Sequence, residues 1–303
     1  MTKVSVILST YRGEGYLGKT MDAVLSQTFT DFELIIVFQD CGDRTRGILS
    51  SYNDERIRIV ETQPGYPHCM NVGIDNAKGD YIAVQDDDDI PVPDRLEKQV
   101  RYLDEHSDVI AVTSSISFID GNGNDLGKVA SLKDTERMSS FEYLYCVDYF
   151  SANGTLMFRR EATDQGLRYN ESFYIGDALF ALGLYYKRKA YHFKEPLVAV
   201  RRNVQSMMRE MSIEERFRYI KVFKNNLRKS MNLPLTFYIR AMSSDNFHMS
   251  GEYWVAGYKR KSFKHLIFAI LWNPLNWRIY RGLIRHLIFR RGLAPGASLE
   301  VSR

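Results

Sequence analysis

The sequence predicts an α/β fold: a mixed, mostly parallel sheet with helices on both faces, followed by a helical C-terminal region. Over the first hundred residues, short apolar runs typical of buried strands alternate with segments whose apolar residues recur at helical spacing. This alternation is typical of βαβ units, which place their ligands at the carboxyl ends of the strands. From residue 212 to about residue 231 the apolar residues follow one helical face, which predicts helices in the C-terminal region.

The elements of the first half follow in order along the chain. Four short apolar runs are predicted as buried strands: residues 4–9, 34–38, 57–60 and 81–84. Three segments are predicted as helices: residues 16–27, 69–77 and 93–105. We expect Gly79 to close the second helix in a C′-like position. We expect Pro93 to begin the third, because proline suits the first turn of a helix.

The pattern becomes mixed after residue 108 and then helical. Two strands and a turn are expected next: residues 109–118, residues 155–158 and the Asp-Gly-Asn-Gly sequence at 120–123. Ser212 followed by Glu215 suits a capping box, which would begin a helix that reaches about Met231. We therefore divide the chain into a sheet domain over residues 1–208 and a helical region over residues 209–303.

The three cysteines, Cys41, Cys69 and Cys146, are scattered and form no CxxC pair. This pattern argues against a disulfide framework or a zinc site and fits a reducing cytosol. Met1 is followed almost at once by a strand pattern, so we expect no secretory signal peptide. The longest strongly apolar run, residues 266–272, is far shorter than the ~18 residues of a membrane span. We therefore expect a cytoplasmic protein.

The positive charge is concentrated near the C-terminus. The net charge is +4, but residues 259–292 hold nine lysines and arginines and no acidic residue, which leaves 32 basic against 37 acidic residues elsewhere. Pro274 is expected to divide this segment into two helices. In the second, apolar residues recur at helical spacing: Trp277, Tyr280, Ile284, Leu287 and Ile288.

A basic helix with such an apolar face predicts peripheral association with an anionic membrane surface. The alternative is a helix packed on the sheet domain with its arginines in water. No nucleic-acid-binding module accompanies the charge, so we expect no nucleic acid partner.

Four consecutive aspartates, residues 86–89, follow the strand predicted at residues 81–84. Adjacent carboxylates repel one another, and a cation relieves that repulsion. Mg²⁺ and Mn²⁺ take oxygen ligands, usually one or two carboxylates together with substrate phosphates. The alternative is a solvated acidic loop. Because the run lies at the sheet edge where ligands bind, the pattern favours a metal and phosphate site.

Several segments of the chain carry a shared pattern, in order and with sensible spacing. They are residues 4–11 (VSVILSTY), 24–29 (VLSQTF), 32–37 (FELIIV), 71–74 (NVGI), 79–83 (GDYIA) and 93–96 (PDRL). Together with the aspartates they resemble the family 2 glycosyltransferases over about residues 3–206. The resemblance implies a GT-A fold, a nucleotide-sugar donor, a divalent metal and inversion at the anomeric carbon.

The resemblance also assigns roles at the donor site. Asp86-x-Asp88 falls on the family's DxD motif, with Asp88 as the direct ligand of Mn²⁺ or Mg²⁺ and Asp86 or Asp87 near the ribose and phosphates. Asp86 is included as a further metal ligand. The metal would neutralise charge on the departing nucleoside diphosphate. The rest of the donor pocket is assigned to the ends of the first two strands: Ser9, Thr10, Tyr11, Gln39 and Asp40. Tyr11 is expected to stack near the base, with packing in the core as the alternative.

An inverting transfer needs a base that takes the proton of the acceptor hydroxyl. The family places it in an acidic motif before an apolar helix, and Asp177 matches that place. Gly176 precedes it, so one carboxylate stands where two are common. Asp177 could instead cap the helix that follows, and both roles can hold together.

Residues 200–206 resemble the family's Arg-x-His-x-x-Ser segment, which covers the diphosphate. Arg201 suits a phosphate clamp because of its charge and fork geometry. An exposed basic residue after a strand is the alternative. Asn203 stands where histidine is common and can offer an oxygen to the metal. Ser206 matches the final serine.

Two departures bear on the donor base. Gln39 lies where the family commonly has an acid that contacts uracil, and Met70 lies where a basic residue is common. Glutamine both donates and accepts, so it does not require the uracil N3–H that a carboxylate prefers. We therefore hypothesise that the donor is not a plain UDP-sugar.

The sequence thus predicts a metal-dependent inverting glycosyltransferase of polysaccharide biosynthesis. It would act on a glycan or lipid-linked glycan, in the cytoplasm or peripherally at the inner face of the membrane. One alternative is a non-catalytic nucleotide- or sugar-binding relative. Another is a nucleotidyltransferase, although residues 12–15 (RGEG) make too short a phosphate loop.

Overall fold

The computed structural model describes residues 2–130, 141, 145, 153–172, 177–202, 212–275 and 279–280. Contacts divide the chain into two compact units. The first comprises Met1–Phe141 and Phe150–Asn203, and the second comprises Glu142–Tyr149 and Val204–Arg303. The functional division at residue 208 stays a prediction.

The first unit is built on one mixed sheet. Its strands in the described residues are β1 (Val4–Tyr11), β2 (Phe32–Gln39), β3 (Ile57–Glu61), β4 (Tyr81–Asp86), β5 (Ile90–Pro91), β6 (Val109–Ile119), β7 (Asp125–Ala130), β8 (Met157–Arg159) and β9 (Lys189–Arg201). The order is β3-β2-β1-β4-β8-β6-β9-β5, with β7 beside β6. Strands β1 to β4 pair in parallel, as do β6 and β9. Strand β8 runs antiparallel to both of its neighbours, and the short strands β5 and β7 also pair antiparallel.

Helices lie on both faces of this sheet, as predicted. Those with bounds in the described part of the first unit are α1 (Leu17–Leu25), α2 (Thr45–Ser50), α3 (Tyr66–Asn76), α4 (Arg95–Glu105), α5 (Glu161–Asp164) and α6 (Asp177–Tyr185). Because strand side chains alternate, Val6 and Leu8 of β1 join the core cluster formed with α1 and α4. Ile7 points to the opposite face, where Gly73 of α3 approaches it. A Cβ at residue 73 would lie 2.4 Å from Ile7 Cγ2.

The expected role of Gly79 is wrong. Helix α3 ends at Asn76, and Ala77 is already extended, so Gly79 is not in the C′ position. A Cβ at residue 79 would lie 2.6 Å from Ser5 N and 2.7 Å from Val4 C. Glycine is therefore required by the close approach of two backbone segments, which no local pattern predicts.

Several predicted boundaries also move. Helix α3 begins at Tyr66, three residues before the predicted start, and α4 begins at Arg95 and not at Pro93. The strand expected from residue 155 begins at Met157, because residues 153–155 form a 3-10 turn.

Three helices are described in the second unit: α7 (Ile213–Ser230), α8 (Leu235–Val255) and α9 (Lys259–Trp272). The predicted capping box is confirmed, because Glu215 N–H donates to Ser212 Oγ at 3.2 Å and Ser212 N–H donates to Glu215 Oε2 at 2.8 Å. A buried ion pair joins α7 to α8, with Lys224 Nζ 2.7 Å from Asp245 Oδ1.

Helix α9 ends directly before Asn273 and Pro274, where the sequence predicts a break. The apolar face predicted over Trp277, Ile284, Leu287 and Ile288 lies outside the described residues. Tyr280 of that face is described and is exposed. Within the described part of the chain, every helix is too short or too polar to cross a bilayer.

Candidate functional site

The carboxyl ends of three neighbouring parallel strands bring predicted donor residues to one edge of the sheet. In the register of β1 and β4, Ser9 lies opposite Asp86. In the register of β1 and β2, Tyr11 lies opposite Gln39. Strand β1 is flanked by β2 on one side and β4 on the other, so this edge is a topological switch point, where α/β proteins bind ligands.

The buried side chain of Arg95 supports the residues directly before the aspartate run. The Arg95 guanidinium donates to Gln85 Oε1 and to the carbonyl of Val84, both at 2.8 Å, and to Gln99 Oε1 at 3.1 Å. Gln85 Nε2 in turn donates to the carbonyls of Asp86 and Asp89, at 2.9 and 3.1 Å. Arg95 is only 1% exposed. A fixed positive charge therefore lies beneath the acidic loop.

The four adjacent aspartates are electrostatically costly. Burial, together with the charges of Asp88, Asp87 and Asp177, raises the pKa of Asp86 to about 7 against the opposing charge of Arg95. Burial also raises the pKa of Asp87 to about 7 and raises the pKa values of Asp88 and Asp89. A bound cation acts in the opposite direction, because it favours the charged form of each carboxyl.

The carboxylate oxygens at this sheet edge fit a divalent metal that substrate phosphates also help to hold. Carboxylate oxygens are the ligands that Mg²⁺ and Mn²⁺ prefer. Among the described residues, no three His, Cys, Asp or Glu side chains converge into a complete cage. Magnesium-type sites commonly use one or two carboxylates plus phosphate oxygens, and Asp86 and Asp88 can supply that share.

Asp87 is turned toward β1 and α1. Thr10 Oγ1 donates to Asp87 Oδ2 at 2.6 Å, and Thr20 Oγ1 donates to the Asp87 carbonyl at 3.0 Å. Gly13 makes room for this arrangement, since a Cβ there would lie 2.3 Å from Thr10 Oγ1. Thr10, predicted as a donor-binding residue, thus orients Asp87.

Arg201, at the end of β9, holds the other end of the run. Its backbone N–H donates to Asp89 Oδ1 at 2.9 Å, and its Nε donates to the Asp88 carbonyl at 3.0 Å. The guanidinium also stacks over the Tyr16 ring, 4.4 Å from its centre. Because Arg201 is buried, the alternative of an exposed basic residue is wrong. Asn203 and Ser206 lie outside the described residues.

Asp177 begins helix α6, where the helix dipole favours a negative charge. It lies close enough to Asp86 that its charge raises the pKa of that carboxyl and the pKa of Tyr66. The predicted base and the predicted metal ligand therefore belong to one electrostatic site.

A polar network connects this part of the site. Asn153 Nδ2 donates to Tyr66 Oη, and Tyr169 Oη donates to Asn153 Oδ1 at 3.5 Å. The neighbouring Gly154 leaves space for Asp86, because a Cβ at residue 154 would lie 2.7 Å from Asp86 Oδ2. Hydroxyl and amide groups therefore lie beside the carboxylates, a composition suited to a sugar.

The residues at the end of β2 are engaged within the protein. Gly65 N–H donates to Gln39 Oε1 at 3.1 Å, and Gln39 Nε2 donates to Ser9 Oγ at 3.5 Å. Asp40 is paired with Arg46 at 2.7 Å, which holds the pKa of its carboxyl below the usual value. Tyr11 is 47% exposed, which excludes packing in the core.

The sequence assigned no role to four residues that shape this site: Arg95, Thr20, Tyr66 and Asn153. For Arg95 a signal existed, because it shares the predicted helix's inward face with Leu96 and Gln99, and a charge on such a face has to be compensated. The other three act through contacts between distant segments. No spacing in the sequence indicates those contacts.

The family described as Glycosyl transferase family 2 matches residues 5–167, which is more than half of the chain. The chain therefore belongs to glycosyltransferase family 2.

The curated relatives that the chain resembles are named as glycosyltransferases. An uncharacterized glycosyltransferase of Methanocaldococcus jannaschii is 36% identical over 129 residues, 41% of this chain and 44% of the relative. The putative teichuronic acid biosynthesis glycosyltransferase TuaG of Bacillus subtilis is 38% identical over 130 residues, 41% of this chain and 51% of TuaG. The chain thus aligns with about half of these relatives' length.

Solved structures support the fold. The crystal structure of Staphylococcus aureus TarS 1–349 with UDP-GlcNAc matches with a TM-score of 0.59 at 17% identity, covering 89% of this chain and 91% of TarS 1–349. The mannosyltransferase PcManGT of Pyrobaculum calidifontis, in complex with GDP-Man and Mn²⁺, matches with a TM-score of 0.53 at 17% identity, covering 95% and 88%. The fold is the GT-A fold that the sequence predicts.

Proposed function

We propose that this protein transfers a sugar from a nucleoside-diphosphate donor to an acceptor hydroxyl, with inversion at the anomeric carbon and with a divalent metal. One observation carries the proposal: Asp86 to Asp89 lie at the switch point of a GT-A sheet, beside Asp177. Mn²⁺ or Mg²⁺ would be held by Asp88 and Asp86, with Asn203 as a further ligand. When bound, the metal supplies positive charge against the leaving diphosphate.

The protein's own groups divide the remaining tasks. Asp177 accepts the proton of the acceptor hydroxyl while that oxygen forms the new bond to the anomeric carbon. The bond from that carbon to the diphosphate oxygen breaks, and the nucleoside diphosphate leaves with the electron pair. The products are a glycoside of inverted configuration, a protonated Asp177 and the diphosphate. Arg201 and Arg95 add fixed positive charge near the aspartate loop, and Arg201 with Ser206 would cover the diphosphate.

We propose the identity of the donor's base from the residues at the end of β2. Gln39 and Asp40 would border the base and ribose, with Tyr11 exposed and able to stack on the ring. The Gln39 amide accepts from Gly65 and donates toward Ser9. Because an amide is uncharged, it lacks the negative charge with which a carboxylate selects uracil. We therefore propose a donor other than a plain UDP-sugar.

The acceptor is proposed to be a glycan or lipid-linked glycan of polysaccharide biosynthesis. The similarity to TuaG, named for teichuronic acid biosynthesis, supports the polysaccharide class. The acid-free basic segment at residues 259–292 supports a peripheral position at the inner, anionic face of the membrane.

The test begins with thermal unfolding of the full chain in the presence of UDP, GDP, dTDP or CDP, each with and without Mn²⁺. One nucleotide should stabilise the protein, by up to about 3 kcal/mol near 100-fold excess over its Kd, and only with metal. Asp88→Asn should lose this effect. Asp31→Asn, which makes the same change at an exposed aspartate, should keep it.

Release of nucleoside diphosphate from the sugar form of the selected nucleotide then tests catalysis. Asp177→Asn should lower turnover by about 10²–10⁴-fold while the nucleotide stabilisation persists. Binding without turnover in the wild type would favour the non-catalytic alternative, and release of pyrophosphate would favour a nucleotidyltransferase. No stabilisation by any nucleotide would overturn the proposal. A strict preference for UDP would overturn only the base assignment.

A further inference from the structure

Helix α9 packs on α8 through small and polar residues. Ser262 Oγ donates to the Ser250 carbonyl at 2.8 Å, and Ser243 Oγ donates to the Ala269 carbonyl at 2.8 Å. Between these contacts, His265 Nδ1 lies 2.9 Å from Asn246 Oδ1. Ser262 and Ala269 are the buried residues of this helix. Its inward face is therefore centred on a serine, a histidine and an alanine, with Leu266 and Ile270 half-buried beside them.

The outward face of α9 is apolar and aromatic. Ile267 is 56% exposed and Leu271 is 70% exposed. Three aromatic residues of the same helix are exposed beside them: Phe263, Phe268 and Trp272. Phe263, Ile267 and Leu271 are spaced four residues apart, so they form a continuous stripe. A helix in water normally buries its apolar stripe, so this arrangement is the reverse of the usual one.

The N-terminal part of α9 carries basic residues that are also exposed. Lys259, Arg260, Lys261 and Lys264 are all exposed. The sequence adds no acidic residue between positions 259 and 292. Aromatic and aliphatic side chains beside lysine and arginine are the composition of a helix that lies in a lipid interface.

We propose that the outward face of α9 docks on the surface of an anionic phospholipid bilayer. Ile267, Leu271 and the aromatic residues enter the boundary between headgroups and acyl chains. Arg260 and Lys264 meet the lipid phosphates. The charge decides between the possible occupants, because a second copy of this chain would bring the same basic residues against one another.

The membrane-binding surface proposed here lies on α9, whereas the sequence predicts such a surface after Pro274. It extends the proposed transfer to a lipid-linked acceptor, yet its test does not depend on catalysis. The readout is co-sedimentation of the full chain with vesicles. One set contains phosphatidylcholine alone, and the other contains phosphatidylcholine with a third phosphatidylglycerol.

The wild type should bind the anionic vesicles at moderate salt and bind neutral vesicles weakly. Ile267→Glu combined with Leu271→Glu should lower the partition coefficient at least ~10-fold, because apolar burial is lost and negative charge faces anionic lipid. Arg260→Gln combined with Lys264→Gln should lower binding to anionic vesicles by roughly 20-fold. The matched control is Leu126→Glu with Val129→Glu, the same change at two exposed aliphatic residues of β7, and it should bind as wild type.

Three results would overturn the proposal. One is wild-type protein that ignores anionic vesicles at moderate salt. Another is a glutamate pair on α9 that binds as well as the control pair. The third is a dimer without vesicles that the α9 glutamates dissociate, because the face would then bind a second copy. Metal-dependent nucleotide stabilisation, measured on the same α9 variant, shows whether the fold and donor site are intact. Failure of this inference is thereby separated from failure of the proposed transfer.

Discussion

Replacing Arg95 with methionine removes the charge beneath the aspartate loop while keeping a long, unbranched side chain. Arg95 is almost fully buried and donates to the Gln85 and Gln99 amide oxygens and to the Val84 carbonyl. Burial lowers its pKa only to about 10, so the wild-type side chain is charged at neutral pH. Methionine can make none of these hydrogen bonds.

The expected loss of stability follows from two independent estimates. Each buried acceptor left unsatisfied costs ~1–3 kcal/mol, and two amide oxygens lose a donor. Removing one partner from a buried charged network costs ~3–5 kcal/mol as a whole. We therefore expect Arg95→Met to lower the free energy of unfolding by about 3–5 kcal/mol, and Arg95→Lys to fall between, because lysine keeps the charge but loses the fork.

Urea unfolding followed by circular dichroism measures this loss. Arg101→Met is the matched control, since it makes the same change at an exposed position of α4 and should stay within ~0.5 kcal/mol of wild type. Equal unfolding midpoints for Arg95→Met and Arg101→Met would refute the reasoning. The aspartate loop would then not depend on the buried arginine.

Three further predictions follow from single contacts. Gly79→Ala should cost at least ~1–3 kcal/mol in urea unfolding, because its Cβ meets the β1 backbone, whereas Gly15→Ala, with open space around it, should not. Asn153→Ala should lower turnover but keep the metal-dependent nucleotide stabilisation, since it releases Tyr66 beside the site. Burial lowers the pKa of His192 to about 4, so the unfolded chain binds its proton first and stability falls as pH drops from about 6.5 to 4. His192→Gln should remove up to about 2 kcal/mol of that fall, measured as the difference between unfolding at pH 7.5 and 4.5.

Sequence patterns predicted the elements whose causes are local. Short apolar runs and helical spacing located the first strands and helices, and the pair Ser212 and Glu215 predicted a capping box that the structure contains. The aspartates were placed at the correct sheet edge because they directly follow a buried strand. In each case the residues that determine the structure lie within a few positions of one another.

The rest depends on contacts between distant residues. Gly79 is required by Ser5, which lies 74 positions earlier, and a local pattern offered only the usual C′ explanation. The network at Asn153 joins three segments of the chain, so neither Tyr66 nor Tyr169 could be assigned from spacing. The outward stripe of α9 has the periodicity of a core helix, and only the polar contacts with α8 reveal which face is buried.

Both proposed binding surfaces break a rule of stable folding. Burial raises the pKa values of all four carboxyls at residues 86–89, and neighbouring carboxylate charges add to this at Asp86, Asp87 and Asp89. Helix α9 leaves its apolar stripe in water. Each arrangement costs stability, and in each case the proposed partner would relieve that cost: a cation with a diphosphate for the aspartates and a lipid surface for α9. Because the two proposed partners differ chemically, the aspartate site and the outward face of α9 can be tested separately. Mn²⁺ with nucleotide should stabilise the wild type and the α9 glutamate variant equally. Anionic vesicles should bind the wild type and Asp88→Asn equally.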